Sequence, residues 1–139
     1  MNQSRWNDLV RAQLLEGSEL KRTPANIRLV EISEAVASVA ETLRVGGNVM
    51  LCDNVGSAAD SQHLAAELVG RMQPRRERNP LSAVALTTDT SILTALGNDY
   101  GFDNILQRQV EALGRPGDIL IVMSTSGNSA NVLRAVSAA

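Results

Sequence analysis

Histidine occurs once, at position 63, cysteine once, at position 52, and the aromatic side chains are only Trp6, Tyr100 and Phe102. A single cysteine excludes an intrachain disulfide, and with no basic-then-apolar leader at the start of the chain, the cytoplasm is the expected compartment. Three scattered aromatics are too few for a platform that stacks bases or a glycan, so they are read as packing residues. Positive charge is not in excess either. Thirteen Lys and Arg face fifteen Asp and Glu, a net charge of −2, which removes the electrostatic footprint of a nucleic-acid binder and predicts no nucleic-acid partner. No apolar run approaches the ~20 residues of a membrane-spanning helix, so no membrane partner is expected.

What is present suits a folded domain. Hydrophobic residues make up 44% and charged residues 20% of 139 residues, enough for one core and too few residues for two comfortable ones. Trp6, Leu9, Val10 and Leu14 recur at helical spacing, with Pro24 marking the expected break. A second helical pattern runs from Ile27 to the helix-stopping Gly46-Gly47 pair. Three short apolar runs follow, Val49 to Cys52, Ala83 to Leu86 and Ile119 to Met123, each reading as a strand buried on both faces. Helical stretches at 58–71, 90–96, 104–113 and 129–138 separate or follow them. Alternating strands and helices require crossover connections, which predict an α/β fold: a doubly wound parallel sheet flanked by helices, preceded by two N-terminal helices.

In open parallel sheets ligands sit beyond the carboxyl ends of the strands, so the residues after each strand are the candidates for function. Asp53 to Ser57 opens into a helix, with Ser57 as the expected N-cap and Asp60 three residues on. Ser124-Thr125-Ser126-Gly127-Asn128-Ser129 also opens into a helix. Its hydroxyls, free amides and helix dipole suit one anion such as phosphate, and equally suit a turn whose hydroxyls only cap the helix. Asp89 either caps the next helix or holds a sugar hydroxyl. His63 and Glu67, four apart on one helix face, form either a surface pair or a site for a metal ion or a substrate proton. Cys52, at a strand end with no basic neighbour in sequence, is read as an inert core thiol. Arg71, Arg75, Arg76 and Arg78, interrupted by Glu77, make either a solvated loop or a local anion or subunit contact.

Taken together, Asn54, Gly56 to Asp60, Gln62-His63, Ala66 to Leu68, Ala85 to Asp89, Gly97 to Phe102 and Ser124 to Ser129 resemble the phosphoheptose isomerase branch of the sugar isomerase (SIS) family. The resemblance covers the chain from about Ile32 onward. It implies a single SIS domain over residues 1–139, with 1–46 as a helical pair for oligomerisation and 47–139 as the α/β core. It implies interconversion of sedoheptulose 7-phosphate and D-glycero-D-manno-heptose 7-phosphate, towards the heptose of lipopolysaccharide. Phosphate binding carries over to Ser57, Ser124, Thr125, Ser126 and Ser129, sugar contacts to Asn54 and Asp89, and the catalytic base to Glu67. Some members bind zinc, which carries over to His63 and Glu67, and the family assembles as homo-oligomers, commonly tetramers.

Two departures bear on that expectation. Family members continue past the position of Ala139 into a final helix that supplies a catalytic histidine, and His63 is the only histidine here. The family's Cys-Gly-Asn-Gly-Gly-Ser loop reads Cys52-Asp53-Asn54-Val55-Gly56-Ser57, where β-branched Val55 resists positive φ and Asp53 adds negative charge beside the proposed phosphate site. The alternative expectation is a non-catalytic SIS module that binds a sugar phosphate or a partner protein, of the kind that associates with the replication initiator.

Overall fold

A computed structural model describes residues 3–139. Two helices come first, α1 (Gln3–Ile27) and α2 (Leu29–Arg44). Then β1 (Val49–Cys52), α3 (Val55–Val69), β2 (Ala83–Ala85), α4 (Thr90–Tyr100), a single 3-10 turn over Phe102–Asn104, α5 (Gln107–Leu113), β3 (Ile119–Val122) and α6 (Ala130–Ala138) alternate along the chain. The chain divides inside α2, after Ser38, into two compact units.

In the first unit α1 does not stop at Pro24 as expected but carries it inside the helix. Proline removes its own N–H and crowds the carbonyl four residues earlier, but its φ is near the helical value and its carbonyl still accepts from the Arg28 amide at 2.8 Å, so the last turn continues. The apolar positions that set the helical period, among them Trp6, Leu9, Val10 and Leu14, all stay exposed.

The second unit holds the sheet. All three strands are parallel in the order β2-β1-β3, with Val49 opposite both Ala83 and Ile119. Because side chains alternate along a strand, the fully apolar β1 feeds two cores. Val49 and Leu51 pack with Ala65, Leu64 and Leu68 of α3 and with Val39 and Leu43 of α2. Met50 and Cys52 pack on the other face with Ile105, Val110 of α5, and Val132 and Ala135 of α6. Leu51 is fully buried, and truncating such a side chain to alanine costs about 2–5 kcal/mol. The sheet with helices on both faces is the architecture expected from the strand and helix pattern.

The strand order creates the feature that matters for function. From β1 the chain passes to β2 on one side and later to β3 on the other, so the helices after β1 and β3 leave towards opposite faces of the sheet. That divergence is a topological switch point, the place in open parallel sheets where ligands bind between the loops at the carboxyl ends of neighbouring strands.

Candidate functional site

The first wall of the candidate site is the turn from β1 into α3. Asp53 is buried; its Oδ1 accepts the Asn54 amide at 2.7 Å, and its Oδ2 has no hydrogen-bond partner. Asn54, not the expected Ser57, is the N-cap residue, and its carbonyl accepts the first helical bond from the Ala58 amide at 3.1 Å. The helix begins at Val55, which takes φ +50° and is 94% exposed. A β-branched residue pays steric strain in that left-handed region, so this turn is held by its surroundings rather than by the preference of Val55. Ser57 therefore lies within the first turn of α3, half-buried, with its carbonyl accepting from the Ser61 hydroxyl at 2.9 Å.

The second wall is the loop from β3 into α6. Gly127, at φ +65°, lets it fold back on itself. The Gly127 amide donates to Ser124 Oγ and the Asn128 amide to Ser126 Oγ, both at 3.2 Å. Each serine thus accepts and still has its own O–H to donate outward. Thr125 and Ser126 are exposed, and Ser129 sits at the N-cap of α6 without its side chain capping the helix. A purely capping role does not account for that hydroxyl.

The two walls are joined by a pair of amides. Asn54 Nδ2 donates to Asn131 Oδ1 at 3.0 Å and Asn131 Nδ2 donates back to Asn54 Oδ1 at 2.8 Å. Nothing in the sequence motifs singles out Asn131. The available signal is its position four before Ala135 and one before Val132, both core residues of α6, which puts an asparagine on the helix's inward face.

The third loop, after β2, is tied to the start of α3 by the Thr87 hydroxyl, which donates to the Ala58 carbonyl at 3.4 Å. Asp89 caps α4, its Oδ1 accepting the Ile92 amide at 2.9 Å. At the end of β1, burial and then the neighbouring Asp53 charge push the Cys52 thiol up to about 11. It is not a nucleophile near neutral pH.

His63 and Glu67 do share one face of α3, with His63 Nε2 3.5 Å from Glu67 Oε1. Glu67 Oε2 is buried without a partner, and the Glu67 carbonyl accepts from Arg78 Nη2 at 2.6 Å. In the basic loop Arg71 pairs with Glu77. An imidazole and a carboxylate with a spare oxygen suit two corners of a zinc site. Among the described residues no group of three His, Cys, Asp or Glu side chains gathers to complete one. Ser57 and Glu67 are ten positions apart on one continuous helix, about 15 Å along the axis. Asn54 and Asn131 are brought together at the strand tips; His63 and Glu67 lie well down α3 from them.

A parallel sheet with a hydroxyl-rich loop at its switch point defines an open-sheet α/β domain with its site at the strand tips, and comparison with known proteins makes the class specific. The SIS domain family matches residues 19–139. The chain belongs to that family, in its phosphoheptose isomerase branch. It is 65% identical to the phosphoheptose isomerase of Rhodospirillum rubrum over 108 residues, 78% of this chain and 56% of that protein. With the phosphoheptose isomerase of Aquifex aeolicus it shares 56% identity over 119 residues, 86% of this chain and 61% of that one. The solved phosphoheptose isomerase of Neisseria gonorrhoeae superposes with a TM-score of 0.85 at 47% identity, covering 96% of this chain and 68% of that one. The Francisella tularensis enzyme gives 0.87 at 38% identity, covering 94% and 68%. The chain spans about three fifths of the length of the curated relatives it matches.

Proposed function

We propose that this chain serves the isomerisation of a heptose 7-phosphate, interconverting sedoheptulose 7-phosphate and D-glycero-D-manno-heptose 7-phosphate. The observation that carries this reading is the meeting of the β1 and β3 loops at the strand tips, joined by the Asn54–Asn131 pair, with hydroxyl donors of Ser124, Thr125, Ser126 and Ser129 and the N-terminus of α6 on one side. Those donors, with Ser57, suit a phosphate. Asn54 and Asp89 suit sugar hydroxyls; Asp89 keeps acceptor capacity beyond its helix cap.

The aldose–ketose exchange moves one carbon-bound proton. A base takes it from C1 of the ketose as O2 gains a proton, giving an enediol. The proton returns to C2 while O1 loses its own, leaving the aldehyde. Glu67 suits the base, a carboxylate whose Oε1 stands 3.5 Å from His63 Nε2 and whose Oε2 has no hydrogen-bond partner. A zinc ion held by His63 and Glu67 would polarise the carbonyl oxygen.

A homo-oligomer of the tetrameric kind belongs to the same reading. The exposed apolar side chains of α1, including Leu9, Val10 and Leu14, suit such an assembly. A cytoplasmic location belongs to the same reading, with a phosphorylated metabolite as substrate and a lone thiol at Cys52. A coupled assay with sedoheptulose 7-phosphate and added zinc tests the activity. Turnover supports it; a well-folded oligomer that turns over nothing sinks it.

A further inference from the structure

The Asn54–Asn131 pair bridges the two loops at the strand tips and is fixed in both members. Asn131 is 2% exposed. Its Oδ1 also accepts the Val132 backbone amide at 3.0 Å, and a backbone N–H pairs only with an oxygen, so the Asn131 amide has one orientation. With Asn131 Oδ1 and Nδ2 assigned, the reciprocal bonds assign Asn54 as well: its Nδ2 must face Asn131 Oδ1 and its Oδ1 must face Asn131 Nδ2. At its backbone, Asn54 is held by Asp53 Oδ1.

An asparagine amide has two N–H donors and two lone pairs, and this pairing takes one of each. Asn54 is left with one N–H and one lone pair in directions set by Asn131, an arrangement that suits a sugar hydroxyl, which both donates and accepts. We propose that Asn131 is a positioning residue: it orients the Asn54 side chain to read the sugar portion of a phosphosugar, while the phosphate is gripped by the neighbouring loop. This rests on the sugar-phosphate reading above and adds a residue to it that acts only through Asn54. A freely rotating Asn54 would present either end to the sugar and lose part of its orientational advantage.

Titration calorimetry on the full chain, with sedoheptulose 7-phosphate and separately with inorganic phosphate, tests this. Asn131→Ala removes the pair. Asn131→Ser removes it too, since serine is too short to reach Asn54, but keeps an oxygen for the Val132 amide and so guards against loss of the helix start. Both are expected to weaken sedoheptulose 7-phosphate about tenfold, with inorganic phosphate changed less than twofold. In an Asn54→Ala background, Asn131→Ser is expected to add nothing, because its effect runs through Asn54. Equal weakening of both anions, or additive losses in the double variant, shows a structural role and overturns the inference. So does a wild-type chain that prefers the sugar phosphate together with variants that keep the preference. A wild-type chain that binds neither anion overturns the functional reading and this inference with it.

Discussion

The two oxygens of Glu67 live differently: Oε1 stands 3.5 Å from His63 Nε2, one turn earlier on α3, while Oε2 is buried with no donor or cation beside it. A buried acceptor without a partner costs about 1–3 kcal/mol, so the carboxylate is kept at the expense of stability. Glu67→Gln keeps the shape and adds a donor without a charge. It is expected to leave the melting temperature unchanged or raised, and to lower turnover by about a hundredfold or more, the typical loss of a general base.

The β1–α3 turn carries a second liability. Val55 holds φ +50° with its side chain almost wholly in solvent, so glycine there relieves strain and loses no burial. The left-handed conformation costs a non-glycine residue about 1–2 kcal/mol, partly offset by the chain entropy that glycine adds to the unfolded state. Val55→Gly is therefore expected to stabilise by up to about 1 kcal/mol, read as a rise in melting temperature. Combined with Asp53→Gly, which removes a buried carboxylate with an unpartnered oxygen and outweighs the loss of its bond to the Asn54 amide, it is expected to tighten sugar-phosphate binding in calorimetry. No gain in affinity contradicts the account of this loop.

Gln109 ties α5 to the end of β2. Although buried, it donates from Nε2 to the Leu86 carbonyl at 3.0 Å and to the Ile105 carbonyl at 2.9 Å. Gln109→Leu fits the space but leaves two buried carbonyls without this donor. A loss of roughly 2–3 kcal/mol is expected in urea unfolding, and a change below about 0.5 kcal/mol, the range of an ordinary surface substitution, contradicts the assignment.

Cys52 supplies a pH dependence of known sign. Its folded pKa is raised from 9.0 to about 11, so the native state keeps a proton that the unfolded state releases. Its contribution is fully present below pH 9 and is lost as pH rises towards 11, by roughly 2–3 kcal/mol for a shift of that size. Cys52→Ala, itself less stable near neutrality through the lost packing, is expected to show a shallower loss of stability over that window in denaturant unfolding. At pH 8 the wild-type thiol is expected to react with a disulfide reagent only as fast as the fold opens.

The strands were legible because each is a short apolar run closed by turn residues, and Val49 to Cys52 falls where the pattern put it. The His63–Glu67 pair was equally legible, since helical spacing alone places the two on one face. Ser57 was misplaced as a cap because local preference argues against Val55 at positive φ, and the tertiary setting of the turn prevailed over that preference. Pro24 lies inside α1, where its carbonyl accepts from the Arg28 amide and carries the helix into its last turn. Asn131 was invisible because its meaning comes from Asn54, 77 positions away, and no local pattern encodes that meeting.

A crystal structure of the chain grown with saturating sedoheptulose 7-phosphate tests whether the Ser124–Ser129 loop at the strand tips holds the phosphate of a heptose phosphate. The phosphorus is expected within hydrogen-bonding reach of the hydroxyls of Ser124, Thr125, Ser126 and Ser129, with the sugar running towards Asn54. A phosphosugar bound elsewhere, or this loop left without one at saturation, contradicts the claim.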